Sequence, residues 1–282
     1  MEWVDGLNRS IAYIESHLTE EIDYAALARL ACCSAYHYQR MFAYLAGMPL
    51  SEYIRRRRMS LAAVDLLQGE KVLDVALKYG YSSPTAFNRA FQSVHGCAPS
   101  AVKAPGAKVK SFPPISFKIT VKGVEGMNYR IEHREAFSIA GVSAPLEREL
   151  EKNMQILPGK WAEVSANGVL QQLLGLMSGE PKGVLGVSSF DPDTGLGRYY
   201  IAVASEDAGG FESFTVPAAD WAIFSGSGTY QSIQKLEQRI FTEWLPTSGY
   251  DYGEAPDIEV YLNPDPQNAQ YEVWVPVIKR HA

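Results

Sequence analysis

Residues 26–47 read ALARLACCSAYHYQRMFAYLAG, and residues 74–96 read DVALKYGYSSPTAFNRAFQSVHG. The second stretch repeats the pattern of the first. An internal repeat of this kind determines the architecture of a chain. The matched positions are Ala28 and Ala76, Ser34 and Ser82, Tyr38 and Phe87, Arg40 and Arg89, Phe42 and Phe91, and Gly47 and Gly96. The offset grows from 48 to 49 residues along the repeat. One residue inserted in a turn explains that change.

Each copy predicts a short helix with small residues, a tight turn with a serine that can cap the next helix, and a second helix. In each second helix two aromatic residues stand four positions apart, which places them on one buried face. Gly47 and Gly96 follow at positions suited to a helix C-cap, and Pro84 suits a first turn. The pattern therefore predicts two helix-turn-helix units. Arg40 and Arg89 fall off the aromatic face, so we expect them to point to solvent.

Two further helices complete this part of the chain. The segment from Ser51 to about Gln68 is expected to be one continuous helix that holds the two units at a fixed separation. Its apolar positions on one face are Ile54, Leu61, Ala62, Leu66 and Leu67. A helix before the first unit has an apolar stripe at spacings of three or four residues, formed by Trp3, Leu7, Ile11, Ile14 and Leu18.

The charge is unevenly distributed. The formal net charge of −6 argues against a nucleic-acid partner if it is read as one number. Residues 1–31 carry two basic and six acidic residues (−4), residues 32–110 carry eleven and four (+7), and residues 111–282 carry thirteen and twenty-two (−9). A basic segment that includes Arg55–Arg58 is thus hidden in the total. Four arginines in a row are equally compatible with a solvated helix face.

The stretch YIRRRRMSLAAVDLLQGEKVLDVALKYGYSSPTAFNRAFQSVHGCAPS, residues 53–100, resembles the DNA-binding domain of the AraC/XylS family, especially its Rob-like members. The resemblance covers residues 5–103. It implies a seven-helix domain whose two recognition helices enter successive segments of the major groove. One chain then supplies both readers, so half-sites one turn apart need no dimer.

The resemblance also implies which side chains read bases: Tyr36, Gln39 and Arg40 in the first unit, and Thr85, Asn88 and Arg89 in the second. Arginine can grip guanine with two hydrogen bonds, and glutamine or asparagine can do so with adenine. Each of these side chains has the alternative of being solvated or contacting phosphate. The arginines of the linker helix are expected to meet phosphates or the acidic first helix.

After residue 110 the periodicity changes to alternating strands. Helical pattern begins only near Pro158 and Trp161 and returns at residues 231–245. The strands are expected at residues 116–123, 127–134, 136–143, 183–191, 198–205, 211–217, 221–228, 256–262 and 271–278. Strands interrupted by two helices predict an α+β sheet with helices on one face. We therefore divide the chain into an all-α domain (1–108), a linker (109–115) and an α+β domain (116–282).

Glu259 is the candidate binding residue of the second domain. Alternation along its strand places Glu259 and Tyr261 on the face opposite Ile258. If helices cover the Ile258 face, Glu259 shares the other face with aromatic side chains, an arrangement that suits a bulky organic cation. The alternative is a carboxylate that faces solvent on an open sheet.

The segment WLPTSGYDYGEAPDIEVYLN and the ending YEVWVPV resemble the GyrI-like effector-binding domain of BmrR-type and Rob-type regulators, over residues 116–280. The resemblance implies two βαββ-like halves with a groove at their junction, where the glutamate faces a hydrophobic, often cationic ligand. The implied groove residues are Glu259, Tyr261, Trp274 and Trp161, and Trp221 is added for its place beside the sheet. Which of Tyr199 and Tyr200 enters the groove stays open.

These patterns predict a transcription regulator that binds promoter DNA and a small-molecule effector, with RNA polymerase as a further candidate partner. We expect no catalysis; the alternative is a hydrolase of small electrophiles with Glu259 as general base. Three cysteines without a CxxC pair argue against a disulfide framework or zinc, and we expect no cofactor. The absence of an 18-residue apolar run or signal-peptide pattern predicts a cytoplasmic protein. We expect the acidic part to lie away from the DNA-reading face.

Overall fold

The protein is described from a computed structural model, in which residues 2–31, 33, 35–118, 126–147, 150–190, 197–263 and 268–280 are placed. We call residues 2–104 the helical region and residues 126–280 the sheet region. The helical region contains α1 (Glu2–Ser16), α2 (Tyr24–Leu30), α3 (Ala35–Ala46), α4 (Leu50–Gln68), α5 (Val72–Lys78) and α6 (Pro84–His95), followed by a 3₁₀ turn (Pro99–Ala101).

The two predicted helix-turn-helix units are α2 with α3 and α5 with α6. The aromatic pairs of both second helices are fully buried, as the spacing predicts. Gly96 adopts a left-handed conformation (φ 78°) at the end of α6, and Ser83 caps its start by accepting a hydrogen bond from the Ala86 amide. Ser34, the expected capping residue of the first unit, lies outside the described residues.

Helix α4 joins the units by contributing to two hydrophobic cores. Tyr53 and Ile54 in its first half pack with α1, α2 and α3, whereas Met59 and Leu66 in its second half pack with α5 and α6. This confirms the prediction of a linker helix at fixed geometry. Leu67, expected on the packed face, is 52 % exposed. Leu7, Ile11, Ile14 and Leu18 of α1 are buried as predicted, and the side chain of Trp3 lies outside the described part.

Two of the linker-helix arginines bond within the helical region. Arg57 pairs with Glu15 of α1, with a shortest nitrogen–oxygen distance of 2.6 Å. Arg58 donates to the backbone oxygen of Leu18 at 2.8 Å. The expectation that these arginines meet the acidic first helix therefore holds for Arg57, whereas Arg58 bonds to backbone just beyond the end of α1.

Among its described residues, the sheet region contains nine strands. They are β1 (Tyr129–Arg134), β2 (Phe137–Leu146), β3 (Val184–Phe190), β4 (Gly197–Ala204), β5 (Glu212–Val216), β6 (Ala219–Gly228), β7 (Tyr250–Tyr252), β8 (Asp257–Asn263) and β9 (Ala269–Lys279). Their order in the sheet is β1-β6-β9-β8-β3-β4-β2-β5, and β7 also pairs with β9. The predicted strand over residues 116–123 does not form at 116–118, and its remainder lies outside the described residues.

The sheet consists of two similar halves that meet at the β3–β8 pair. One half is β2, helices α7 (Leu150–Ala166) and α8 (Val169–Leu176), β3 and β4; the other is β6, α9 (Tyr230–Arg239), β8 and β9. In each half the strands follow the same order outward from the junction. The predicted α+β fold with two βαββ-like halves is confirmed. Helix α7 begins eight residues before Pro158, which lies inside the helix rather than in its first turn.

The connection from β5 to β6 forces the sheet to curl. These strands are six neighbours apart in the sheet order, which in a flat sheet is about 29 Å at about 4.8 Å per strand. Only residues 217 and 218 join them, and three Cα–Cα steps reach about 11 Å. The curled inner face encloses a core, and α7, α8 and α9 cover the outer face of the two halves. Within the described residues, the helices are too short or too polar to cross a membrane.

Candidate functional site

Glu259 lies on the outer face of the sheet, at the junction of the two halves. Cross-strand pairs share a face, and the register places Glu259 opposite Val273 on β9 and Gly186 on β3. Helices α7 and α8 cover one side of this junction and α9 the other, so a groove runs between them. Glu259 is thus on the helix-covered face, so the condition considered from the sequence, with helices on the Ile258 face, is not met.

An aromatic box surrounds the Glu259 carboxylate. The Tyr261 hydroxyl donates to Oε2 at 2.8 Å, and the Tyr199 hydroxyl donates to the same oxygen at 3.3 Å. The Trp161 indole nitrogen of α7 donates to the Tyr199 hydroxyl at 3.1 Å, and its ring meets Tyr261 edge-on at 5.0 Å. The structure therefore brings together three of the five predicted groove residues. Tyr199 is the tyrosine that enters the groove, and Tyr200 packs on Phe214 on the inner face.

Gly186 makes room for this box. A Cβ atom at this position would lie 2.2 Å from the Tyr199 hydroxyl oxygen and 3.0 Å from Glu259 Oε2. The missing side chain lets the tyrosine hydroxyl cross β3 and reach the carboxylate. Sequence reasoning missed Gly186 because a glycine inside a strand indicates a bulge or a close approach without saying to what.

Trp274 and Trp221 do not enter the groove, and the prediction for both was wrong. The register pairs Trp274 with Ile258, which places it on the inner face of the sheet. Trp221 lies on the same face, and the two indole rings pack together at 5.9 Å between centroids. Both side chains are buried in the core, at 0 % and 1 % exposure. Their role in this structure is packing.

Helix α3 of the helical region lies across the groove. Arg40 forms ion pairs with Glu237 of α9 and, at 3.6 Å, with Asp257 of β8. The Tyr44 hydroxyl donates to the second oxygen of Glu237 at 2.7 Å. His37 of α3 stacks on a tyrosine of β7, with ring centroids 3.6 Å apart. The acidic region therefore covers the first recognition helix instead of lying away from it.

The two sets of expected DNA-reading residues differ in exposure. Thr85, Asn88 and Arg89 on α6 are exposed. Tyr36, Gln39 and Arg40 on α3 are buried, with Arg40 at 8 % exposure. The expectation that Arg40 points to solvent is wrong for this arrangement, because its guanidinium is directed into the groove of the sheet region.

Burial and neighbouring charges set the protonation of the groove. Burial, together with the Glu237 carboxylate, raises the pKa of Glu259 to about 7, while Arg40 and the Tyr261 hydroxyl act in the opposite direction. Burial would also raise the pKa of Asp257, but contacts with His37, Arg40 and a tyrosine hydroxyl outweigh it and the pKa is lowered. Burial lowers the pKa of His37. The groove thus combines an ionised Asp257 with a Glu259 that titrates near neutrality.

A cavity of about 730 Å³ extends from Glu259 between the two regions. Tyr36 and Met48 line it from the helical region, Trp161 and Leu157 from α7, and Ile233 from α9. This volume lies in the range of small-molecule pockets, about 300–1,000 Å³. An apolar wall with a carboxylate at one end can hold an amphipathic ligand of matching charge.

Comparison with known proteins identifies both regions. Residues 127–278 match the family described as GyrI-like small molecule binding domain, and residues 27–104 match a helix-turn-helix domain family. The HTH-type transcriptional activator AarP of Providencia stuartii is 37% identical over 95 residues, which are 33% of this chain and 70% of AarP. The chain belongs to the AraC/XylS family and carries a GyrI-like domain. The chain thus joins a helix-turn-helix domain to a small-molecule binding domain.

A further relative and a solved structure each match part of the chain. The HTH-type regulator YbfP of Bacillus subtilis (strain 168) is 34% identical over 104 residues, which are 36% of this chain and 35% of YbfP. The chain therefore spans about a third of the length of that relative. A solved structure of SAV2435 bound to tetraphenylphosphonium is 21% identical and covers 54% of this chain and 94% of that protein, with a TM-score of 0.46.

The GyrI-like domain contributes groove residues that sequence reasoning did not select. Glu237 is 4 % exposed and contacts both Arg40 and Tyr44 of the AraC-type domain. Its position in α9 indicates only an amphipathic helix, in which a glutamate is ordinarily solvated. Only the packing of α3 on α9 reveals it as a further carboxylate of the groove, and one that is buried.

Proposed function

We propose that this regulator binds a hydrophobic cation in the groove at Glu259 and reads promoter DNA with both recognition helices. The DNA-reading residues are those of the family pattern: Tyr36, Gln39, Arg40, Thr85, Asn88 and Arg89. The AraC-type domain comprises residues 1–108 and the GyrI-like domain residues 116–282, joined by residues 109–115. The whole regulator's effector and DNA site are part of this proposal.

The partly buried carboxylate of Glu259 is the observation that supports a cationic ligand. It sits among Trp161, Tyr199 and Tyr261 at the wall of an apolar cavity. Aromatic faces attract cations, and a carboxylate in a partly desolvated site strengthens that attraction. A neutral ligand brings no charge of its own to pair with the ionised carboxylate.

Calorimetric titration with tetraphenylphosphonium tests the ligand class. This probe has four aromatic rings and a permanent positive charge, so it does not itself titrate. Glu259→Gln keeps the shape of the side chain and removes its charge, and we expect it to weaken binding at least about tenfold, or about 1.4 kcal/mol. Glu206→Gln, the same change at an exposed position, serves as the matched control and should bind like the unmodified chain.

Triphenylphosphine oxide, an uncharged compound with three phenyl rings on phosphorus, tests whether binding requires the positive charge. We expect it to bind more weakly than the cation and to respond little to Glu259→Gln. Equal affinity of the cation for the unmodified chain and for Glu259→Gln would contradict recognition of charge at this site.

Hydrolysis of a small electrophile is a second candidate function, and the titration of Glu259 near neutrality favours it. A general base works best when its pKa lies near the operating pH. The relatives AarP and YbfP are named as transcriptional regulators. Incubation of the full chain with an epoxide and assay of diol release distinguishes the two: turnover that is lost in Glu259→Gln assigns an enzyme, and absence of turnover with retained cation binding assigns a sensor.

A further inference from the structure

Arg40 occupies the position in the groove that a cationic ligand would require. Its guanidinium pairs with Glu237 and with Asp257, and both carboxylates are largely buried. Glu259 lies close enough to Arg40 for their charges to interact. The groove therefore presents three carboxylates, and a positive charge from the chain's own DNA-reading helix is already among them.

The same contact covers the residues of α3 that are proposed to read DNA. Arg40, Gln39 and Tyr36 are all buried in the arrangement described. A recognition helix must lie in the major groove to contact base edges, with its reading face against the DNA. Helix α3 therefore has two exclusive partners, the groove of the GyrI-like domain or the major groove of DNA.

From this geometry we infer that a cationic effector binds Glu237 as well as Glu259, displaces Arg40 from the groove, and thereby releases α3 to read DNA. This inference rests on the proposed function and adds the second carboxylate and the direction of regulation. A cation placed at Glu259 meets Arg40 as a like charge in a poorly screened site and competes for the same carboxylates. A neutral ligand of the same shape has neither effect, so it does not open the contact.

The direction of coupling between effector and DNA follows because α3 cannot contact the groove and DNA at the same time. The effector binds the open arrangement better than the closed one, and DNA requires the open arrangement for α3. Effector and DNA therefore strengthen each other's binding, and couplings of this kind amount to about 5–150-fold. Helix α6 stays exposed in the closed arrangement, so the closed chain retains one reader and a weaker DNA contact.

Glu237→Gln tests the contact without altering the DNA-reading helix. It removes the charge that holds Arg40, so we expect promoter DNA affinity without ligand to rise about fivefold or more and its stimulation by tetraphenylphosphonium to shrink. Tyr44→Phe removes one hydrogen bond to Glu237 and should act in the same direction with a smaller effect. Glu243→Gln, one to two turns further along and paired with Arg239, is the matched control and should leave DNA affinity unchanged.

Side-chain oxidation of His37 provides a readout that does not depend on DNA. His37 is 1 % exposed and stacks on Tyr252 of the GyrI-like domain, so release of α3 exposes it. Tetraphenylphosphonium and Glu237→Gln should each increase its labelling by hydroxyl radicals, whereas triphenylphosphine oxide and Glu243→Gln should not.

The full chain is titrated with its promoter fragment by fluorescence anisotropy, with cation binding measured in parallel by calorimetry. The inference is supported if the cation raises DNA affinity and the neutral probe does not. If the cation binds yet DNA affinity falls or stays constant, the inference is overturned while the proposed ligand class stands. If the cation fails to bind, the proposed ligand class fails. In that case Glu237→Gln still tests whether the contact between α3 and the groove is autoinhibitory. Unchanged DNA affinity and unchanged His37 labelling in this variant would refute that role.

Discussion

The protonation of Glu259 depends on many of the charged and titratable groups of the groove. Burial and Glu237 raise its pKa to about 7, whereas Arg40 and Tyr261 favour the ionised form. The charged or titratable groups packed around it come from α3, α9, β4 and β8: Tyr36, Arg40, Glu237, Tyr199, Asp257 and Tyr261. Their balance makes the carboxylate protonated in part near neutrality.

Binding of a permanent cation should therefore strengthen as the pH rises. Because its pKa is raised, Glu259 is preferentially protonated in the closed protein. The free energy of unfolding of this closed form therefore falls as the pH rises from the ordinary pKa of 4.5 toward 7. The cation requires the ionised form, so we expect its affinity to increase about tenfold between pH 6 and pH 8. Calorimetry of tetraphenylphosphonium across this range measures it. In Glu259→Gln the affinity should be nearly constant, and an equal slope in this variant would contradict the assignment.

At the scale of single elements, the helical region was predictable because its signals are local. The repeat, the paired aromatics and the glycine C-caps each depend on residues within a few positions, and α2 to α6 form as predicted. The linker helix needed only one long periodic segment. Local patterns of this kind carry most of the information that fixes a helix-turn-helix unit.

The positions of Trp221 and Trp274 depended on non-local information. Alternation separates the two faces of one strand, but it does not say which face of β8 matches which face of β9. The register, Ile258 opposite Trp274, decides that question. The curl of the sheet then buries this face, so a carboxylate on the other side is the one that meets the helices. Local sequence patterns also could not predict that a distant part of the chain buries α3.

The two recognition helices should contribute differently to DNA binding with and without effector. Gln39 on α3 and Asn88 on α6 occupy corresponding positions of the repeat, but only Asn88 is exposed in the closed arrangement. We expect Asn88→Ala to weaken promoter binding by about 1–3 kcal/mol under both conditions. Gln39→Ala should have a similar cost only when tetraphenylphosphonium is present. Anisotropy titrations measure both, and an equal cost of Gln39→Ala without the cation would argue that α3 reads DNA in the closed chain.

At the scale of the whole molecule, the basic and acidic parts of the chain are separate in sequence but contact each other in the structure. Residues 32–110 carry a net charge of +7 and residues 111–282 a net charge of −9. The structure joins the two through Arg40 and the carboxylates of the groove. In the proposed function, the acidic domain therefore competes with DNA for this arginine. The overall charge of −6 conceals this competition. The proposed regulation by a cation rests on this competition, since the positive charge of the ligand would take the place of Arg40 when α3 binds DNA.

The affinity of tetraphenylphosphonium, measured by calorimetry with and without saturating promoter DNA, tests the account most directly. Coupling between two ligands is reciprocal, so DNA must strengthen cation binding by the same factor by which the cation strengthens DNA binding. We predict a dissociation constant for the cation at least about fivefold lower in the presence of DNA. The same dissociation constant with and without DNA, or a higher one with DNA, would contradict the account. In that account, the effector and DNA both bind better when the contact between α3 and the groove is open.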